Sequence, residues 1–283
     1  MVLTFIFLII AGFAAGLLAS VAGLASLVSY PALLAVGLPP VIANVTNTTA
    51  LIFSGIGATA SSLKELRGHW KKLTLYVILS LIGSIGGSVL LLIAPASSFE
   101  KVVPFFILFA GILLFMSGRK KDVSTAKLKQ AHQTPTKRFW VSLISLTGIV
   151  LVGAYTGYFG AAGGVIFLAI LSIITDDRFT VVNAMKNVIA FGGNLIATVI
   201  FIFKSKIDWL LVIPLGFGLL IGGYTGPIIV RHSNIHWFGW VFVCDCLFLK
   251  ESITKGAAHL SCSLSYKYTA VQIHSPSRIT IRK

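Results

Sequence analysis

MVLTFIFLIIAGFAAGLLASVAGLASLVSYPALLAVGLPPVIANVTNTTALIFSGIGATASSL, residues 1–63, decides the class of fold because it contains no Lys, Arg, Asp, Glu or His. A helix needs about 20 consecutive apolar residues to span a bilayer, so this stretch alone could hold three spans. Residues 73–99 and 139–175 also lack charged side chains and His. The sequence therefore predicts an all-α polytopic membrane protein that crosses the bilayer about eight times.

The composition and the placement of charge agree with a membrane protein. Of the 283 residues, 56% are hydrophobic and 11% are charged, whereas a soluble domain has about 25% charged residues. The net charge is +15, but Lys and Arg lie in short segments between apolar runs, such as KELRGHWKK at 64–72. This pattern is typical of cytoplasmic loops and not of a nucleic-acid-binding face. We expect a lipid bilayer as the environment, a location in the plasma membrane, and no nucleic-acid partner.

Several functional classes lack their sequence signatures. Residues 1–10 have no basic segment before the apolar run, so we expect the first span itself, and not a cleaved signal peptide, to direct membrane insertion. Cys244, Cys246 and Cys262 form neither a disulfide framework nor a paired CxxC metal site. The chain has no GxxxxGK[ST], GxGxxG, HExxH or GxSxG motif. We therefore predict that the protein is not an enzyme and needs no cofactor or metal.

A basic segment divides the chain into two halves. RKKDVSTAKLKQAHQTPTKR, residues 119–138, is predicted to be a cytoplasmic linker between a first transmembrane repeat at 1–118 and a second at 139–249. A shift of about 140 residues superimposes similar positions, as expected for a transporter with internal repeats: Asn47 on Asn187, Gly83 on Gly223 and Gly86 on Gly226. We predict two repeated halves of about four transmembrane helices each.

Each half also contains a broken or re-entrant segment. Gly23 to Gly37 includes Pro31, and Gly160 to Thr175 opens with GAAGG. About 15 residues form only ~22 Å of helix, less than the ~30 Å hydrocarbon core. If both segments are re-entrant, the halves run parallel with a cytoplasmic N-terminus; if both cross, each half has five spans and the halves are inverted. The Lys and Arg count fits both arrangements, and length alone favours re-entrance.

Polar clusters follow the two broken segments and are candidates for substrate binding. The first is Asn44 to Thr49, and the second is NAMKN at 183–187. Lys186 is the only charged residue between Phe179 and Phe203, and a charge well inside a span costs at least ~2.5 kcal/mol. The alternatives to substrate binding are interhelical hydrogen bonding or helix capping for the first cluster, and snorkelling to the membrane interface for Lys186.

One fixed positive charge, amide donors and the N-terminal ends of interrupted helices together predict a site for a small anion. Gly163 and Gly164 add flexible backbone beside the second cluster, and Asn194 lies about two helical turns beyond Asn187 on nearly the same face. The predicted substrate-binding residues are Asn44, Thr46, Asn47, Gly163, Gly164, Asn183, Lys186, Asn187 and Asn194.

These motifs resemble the TauE/SafE family of membrane transporters, also called sulfite exporters. The resemblance covers about residues 5–235 and rests on GLLASVAGLASLVSYPALLAVGLPPVIANVTNTTAL at 16–51, on GYFGAAGGVIFLAIL and on NAMKN. Gly23, Pro31, Pro39, Pro40, Ala43, Thr46 and Asn47 fit the family pattern. Ala169 stands where Pro is common, and Lys186 where Thr is usual. The resemblance implies transport of a small anion such as sulfite or an organosulfonate.

The leading hypothesis is a secondary transporter that moves a small anion by alternating access between its two repeats. Assembly into a homo-oligomer is compatible with this hypothesis. A membrane-embedded enzyme or assembly factor is the alternative, but it would need ionisable groups that converge within the membrane. A channel would need a continuous polar stripe along several spans.

The C-terminal region departs from the repeat. Residues 236–249 give only 14 mostly apolar positions, interrupted by Asp245, and residues 250–283 form an atypical basic tail. Either a frameshift has replaced the native C-terminus, or the chain ends in a genuine cytoplasmic tail.

Overall fold

The computed structural model describes residues 2–95, 98–99, 101–102, 105, 135–160, 162–175 and 177–232. These residues form eight named helices and no strand, which confirms the all-α prediction. The helices are α1 (Val2–Ala22), α2 (Ser26–Ala35), α3 (Pro40–Ser61), α4 (Trp70–Ile93), α5 (Pro135–Tyr158), α6 (Gly163–Ile174), α7 (Phe179–Lys204) and α8 (Trp209–His232).

Five of the described helices are long and apolar enough to cross a membrane: α1, α3, α4, α7 and residues Trp209–Arg231 of α8. The helices α2 and α6 have only 10 and 12 residues, so the two segments predicted to be interrupted do contain short helices. The apolar run at 102–116, most of the basic linker, the last predicted span at 236–249 and the tail at 250–283 lie outside the described residues, apart from a few positions.

The start of α3 follows directly from its sequence. Pro40 is the first residue of the helix, where its fixed φ and its missing N–H cost nothing. The polar cluster Asn44 to Thr49 lies within the helix and is buried. No side chain caps this end of α3, so the capping alternative for the cluster is wrong.

Glycines allow two pairs of helices to pack backbone against backbone. A Cβ added at Gly12 or Gly16 of α1 would clash with the backbone of α8, and one added at Gly218 or Gly222 of α8 would clash with α1. The pair α4 and α5 repeats this arrangement, with Gly83 and Gly87 on one side and Gly153 and Gly157 on the other. Small residues at such crossings permit the close packing that holds helices together in lipid.

Residue contacts give the relative direction of the packed helices. Along α1 and α8, Gly12 lies against Leu215, Gly16 against Leu219, and Ser20 against Gly226, so these helices are parallel. The helices α4 and α5 are also parallel, since Gly83 lies against Val150 and Gly87 against Ala154. The helix α3 runs parallel to α8, with Thr46 beside Asp208 and Ser61 beside Arg231.

The remaining contacts give the direction of α4 and α5 relative to that of α1, α3 and α8. The helix α7 is parallel to α4, since Asp177 contacts His69 and Gly193 contacts Ser84. The last turn of α1 meets the beginning of α7 at Ser20 and Asn183. Consequently α1, α3 and α8 run in one direction, and α4, α5 and α7 run in the other. Parallel halves would require the corresponding helices α1 and α5 to share a direction. Their opposite directions favour the inverted arrangement, one of the two that the sequence left open.

The short helices α2 and α6 begin next to each other. Gly23, just before α2, lies so close to Gly164 that a Cβ on either residue would clash with the backbone of the other. The segment that follows α2 borders the same groove as residues 206–209, whereas Asp177, after α6, contacts His69. The two short helices therefore start together inside the protein and run towards opposite ends.

Candidate functional site

A cavity of about 70 Å³ lies where the N-terminal ends of α2 and α6 meet. A single water needs ~10–15 Å³ by this measure, so the cavity has room for a few waters or one small ion. Its polar lining consists of Ser20, Ser26, Thr48, Ser54, Thr156, Lys186, Asn187 and Asn194. Of the residues that line it, Lys186 alone has an ionisable side chain. The electrostatics of the cavity therefore depend on this ammonium group.

Lys186 is fully buried and holds the C-terminal end of α1. Its side chain is 1% exposed, and Nζ donates to the backbone oxygens of Ala19 at 3.0 Å and Ser20 at 3.2 Å. Because the ammonium points into the protein, the snorkelling alternative is wrong. The C-terminal end of a helix carries only about half a negative charge.

No carboxylate pairs with Lys186 among the described residues to neutralise the rest of its positive charge. The ion pairs there are His69 with Asp177 and Arg231 with Glu65. The N-terminal ends of α2 and α6, each with a partial positive charge, border the same cavity. The cavity thus has an excess of positive charge, which favours an anion.

The carbonyl of Ser20 is the centre of a hydrogen-bond cluster. It accepts from Asn183 Nδ2 at 2.9 Å and from Asn187 Nδ2 at 3.3 Å, in addition to Lys186. Three polar side chains of α7 are thereby fixed to the end of α1. Sequence reasoning did not identify Ala19 and Ser20, because a backbone acceptor leaves no signal in residue type.

The polar residues of α3 make comparable contacts with other segments of the chain. Asn44 Nδ2 donates to the backbone oxygen of Tyr158 at 2.9 Å, and Asn47 Nδ2 donates to Ser26 Oγ at 3.2 Å. The hydroxyl of Thr46 accepts from the backbone N–H of Asp208 at 3.3 Å. The alternative of interhelical hydrogen bonding thus describes what Asn44, Thr46 and Asn47 do in this structure.

Three buried amide oxygens have no hydrogen-bond partner in the part of the chain that the structure describes: Oδ1 of Asn44, Asn47 and Asn183. The three side chains are at most 2% exposed. A buried acceptor without a partner costs about 1–3 kcal/mol. Such a group is therefore a candidate for contact with a ligand.

The structure brings some of the predicted site residues together at the cavity and places others behind it. Gly164, Lys186, Asn187 and Asn194 line the cavity, whereas Asn44, Thr46, Asn47, Gly163 and Asn183 lie outside its lining. Sequence reasoning missed Ser20, Ser26, Ser54 and Thr156, and it included Thr48 only as a member of the first polar cluster; the hydroxyls of these residues complete the lining. Their signal in the sequence was only that of polar residues inside apolar runs. Substrate binding by any of these residues remains a prediction.

Comparison with known proteins gives a consistent assignment. The profile of the family described as Sulfite exporter TauE/SafE matches residues 8–249. A "Probable membrane transporter protein ORF9" from Sinorhizobium is 27% identical over 78% of this chain and 80% of its own length. A "Probable membrane transporter protein" from Haemophilus influenzae is 25% identical over 76% of this chain and 79% of its own.

A "Probable membrane transporter protein YunE" from Bacillus subtilis is 22% identical over 81% of this chain and 89% of its own. No solved structure matches the chain significantly. The cavity and both polar clusters lie within the matched range.

Proposed function

The chain belongs to the sulfite exporter TauE/SafE family of membrane transporters, and from this premise we propose that it is a secondary transporter of a small anion. The observation that carries the proposal is the ammonium of Lys186, buried beside a polar cavity and without a carboxylate partner among the described residues. A small anion in the cavity would supply the missing negative charge at short range, in surroundings that screen charge poorly.

Sulfur oxyanions are the substrate class that we propose. The family description names sulfite, and the cavity volume suits a small ion better than a large organic molecule. The donors at or beside the cavity are also appropriate: the ammonium of Lys186, the amide groups of Asn187 and Asn194, and the hydroxyl of Ser26. Oxyanions accept several hydrogen bonds at once, and charge-assisted bonds are the strongest of them.

We further propose that the two halves are inverted repeats. Each half has the same order of helices, in which a long helix is followed by a short one and then by two long ones. Two contacts are equivalent in such a scheme: α1 with α8, and α5 with α4; both pack through glycines. Inverted repeats are a common basis for alternating access, because each half can adopt the conformation of the other.

Alternating access gives the ion pairs at one end of the bundle a defined role. His69 contacts Asp177 at 3.0 Å, between the connection of α3 to α4 and the one of α6 to α7. Arg231 of α8 pairs with Glu65 at 2.6 Å. These pairs join segments from the two halves, and we propose that they separate when the cavity opens towards that end.

An enzyme or assembly factor remains the alternative, but the structure offers it little support. Catalysis by acids and bases requires ionisable groups within hydrogen-bond reach of the reacting atoms. Lys186 is accompanied in the cavity lining by hydroxyl, amide and apolar residues and not by Asp, Glu or His.

Anion flux into proteoliposomes tests the proposal. We expect Lys186→Ala to lower the flux of sulfite or a related anion more than tenfold, because the cavity loses its fixed positive charge. Lys204→Ala is the matched control, since Lys204 lies on the same helix but is exposed, and it should stay within about twofold of wild type.

The substrate panel should include sulfite, sulfate, thiosulfate, a sulfonate and a small carboxylate. Unchanged flux in a correctly folded Lys186→Ala protein would refute the role of Lys186. The absence of flux for every anion in the wild-type protein would refute anion transport itself.

A further inference from the structure

We propose that the first half of the protein contains a Na⁺ site formed by the amide oxygens of Asn44 and Asn47 near the C-terminal end of α5, and that the ammonium of Lys186 takes the place of this ion in the second half. The assignment of Na⁺ as a coupling ion rests on the proposed transport function, but the binding site itself does not.

The second half shows how a cation is held at the end of a helix. Nζ of Lys186 lies 3.0 Å and 3.2 Å from the backbone oxygens of Ala19 and Ser20 in the last turn of α1. Asn183 of α7 donates to the same oxygen of Ser20. Free carbonyls at the C-terminal end of a helix attract cations, and transporters use such ends to coordinate Na⁺.

The first half has the same arrangement with an uncharged residue in place of the lysine. Asn44 lies four residues after Pro40, and Asn183 lies four residues after Phe179, the first residues of their helices. Asn44 donates to the backbone oxygen of Tyr158 at the end of α5, as Asn183 donates to that of Ser20 at the end of α1. Counted from the start of each helix, Asn47 occupies the same position as Lys186, seven residues after Pro40 and Phe179 respectively. This register differs by one residue from the shift of about 140 that places Asn47 on Asn187.

Two buried amide oxygens are the ligands that we assign to this ion. Oδ1 of Asn44 and Oδ1 of Asn47 have no partner among the described residues, and the side chains are 1% and 0% exposed. The orientation of the Asn44 amide is fixed, because its Nδ2 bonds to a carbonyl, which can only accept. Residues three apart on a helix share a face, so the two oxygens lie on the same side of α3.

Oxygen ligands of this kind select a hard cation. Amide and carbonyl oxygens bind hard ions such as Na⁺, whereas a proton gains little from a neutral amide. The site contains no carboxylate, which favours a monovalent over a divalent ion. It follows that wild-type protein binds one Na⁺ at Asn44 and Asn47, and that replacing Lys186 by Asn creates a second site.

Thermal unfolding of the purified full-length protein in detergent tests the site without any sulfur oxyanion present. NaCl is exchanged for KCl or choline chloride at constant ionic strength. We expect Na⁺ to raise the Tm of the wild type by about 5 °C at a hundredfold excess over its Kd, and KCl and choline chloride to have a much smaller effect. An equal shift with all three salts would overturn the proposal.

Variants show which residues are responsible for the Na⁺-specific rise in Tm. Asn47→Leu should abolish the Na⁺-specific shift, whereas Thr59→Val should retain it; Thr59 is the matched control because its hydroxyl is also buried and without a partner on the same helix. Lys186→Asn should add a second, separately saturating Na⁺ dependence. A Na⁺-specific shift that survives in Asn47→Leu places the ion elsewhere and overturns the proposal.

Asn47→Asp keeps the test decisive if Asn47→Leu does not fold. A carboxylate at this position should lower the half-saturating Na⁺ concentration about tenfold, and an unchanged concentration contradicts the site. Because these measurements record binding alone, a negative result leaves anion flux through the cavity as a separate question. Conversely, Na⁺ binding without anion flux would contradict the proposed function and retain the site.

Discussion

Gly23 is a residue at which the backbones of the two halves approach each other closely. Its φ is +78°, in the left-handed region that favours glycine, and its Cα faces the backbone of Gly164. Gly37 has a φ of +99° but nothing within 4 Å of the position of a Cβ. The two glycines therefore separate the effect of backbone conformation from the effect of close approach.

Substitution by alanine should distinguish these effects. Gly37→Ala should cost about 1–2 kcal/mol, the price of a left-handed conformation for a residue with a Cβ. Gly23→Ala adds a steric clash worth about 1–3 kcal/mol and should be clearly less stable. Thermal unfolding in detergent measures both, and equal losses of stability would contradict the contact between Gly23 and Gly164.

At the level of single residues, sequence reasoning was successful where charge or polarity stood out against an apolar background. Lys186 stood out as the only charge within its span, although snorkelling to the interface was left open. Asn187 and Asn194 were expected on one face, and both line the cavity. The carbonyls of Ala19 and Ser20 could not be predicted, because every residue has a backbone oxygen and only the fold decides which of them is free.

Among the helices, the pair α4 and α5 shows how glycine spacing defines an interface. A Cβ at Gly87 would clash with the backbone of α5 at Ala154, whereas one at the adjacent Gly86 would meet nothing within 4 Å. These neighbouring glycines point to different surroundings, so only one of them belongs to the interface.

Leucine at each position should reveal this difference. Gly87→Leu should separate α4 from α5 and prevent recovery of a monodisperse protein, because packing is the main force between helices in lipid. Gly86→Leu should leave the elution profile in size-exclusion chromatography unchanged. A comparable loss for the two variants would show that the helices cross elsewhere.

The sequence predicted the existence of the helices better than their direction. The interrupted segment at 160–175 contains α6, and the polar cluster at 44–49 lies near the start of α3, as expected. Helix length suggested re-entrant segments and parallel halves. The distribution of Lys and Arg fitted parallel and inverted halves equally, so only contacts between distant residues, such as Gly12 with Leu215, could decide.

For the molecule as a whole, the direction of the helices places the loops at two ends. The connection between α3 and α4 follows the end of α3, and the one between α7 and α8 precedes the start of α8. Because α3 and α8 are parallel, these loops lie at opposite ends. The first end carries most of the described basic residues, including Lys64, Arg67 and Arg178, and the positive-inside rule predicts that this end is cytoplasmic.

Labelling of single cysteines tests this arrangement. In a background with Cys244, Cys246 and Cys262 replaced by Ser, we introduce Leu63→Cys and Ser205→Cys. A membrane-impermeant maleimide should label position 205 in sealed right-side-out vesicles, and position 63 only after permeabilisation. Labelling of both positions from the same side would restore the parallel arrangement.

The pairing of α1 with α8 also determines when the protein can assemble during synthesis. The first of the described helices packs along the last of them, and nearly the whole chain between them must be made before they can meet. At ~5–20 residues per second, the glycine face of α1 waits roughly 10–40 s for its partner. A nascent chain that stops before Trp209 never buries this face, so truncated products should be recognised as incomplete and degraded.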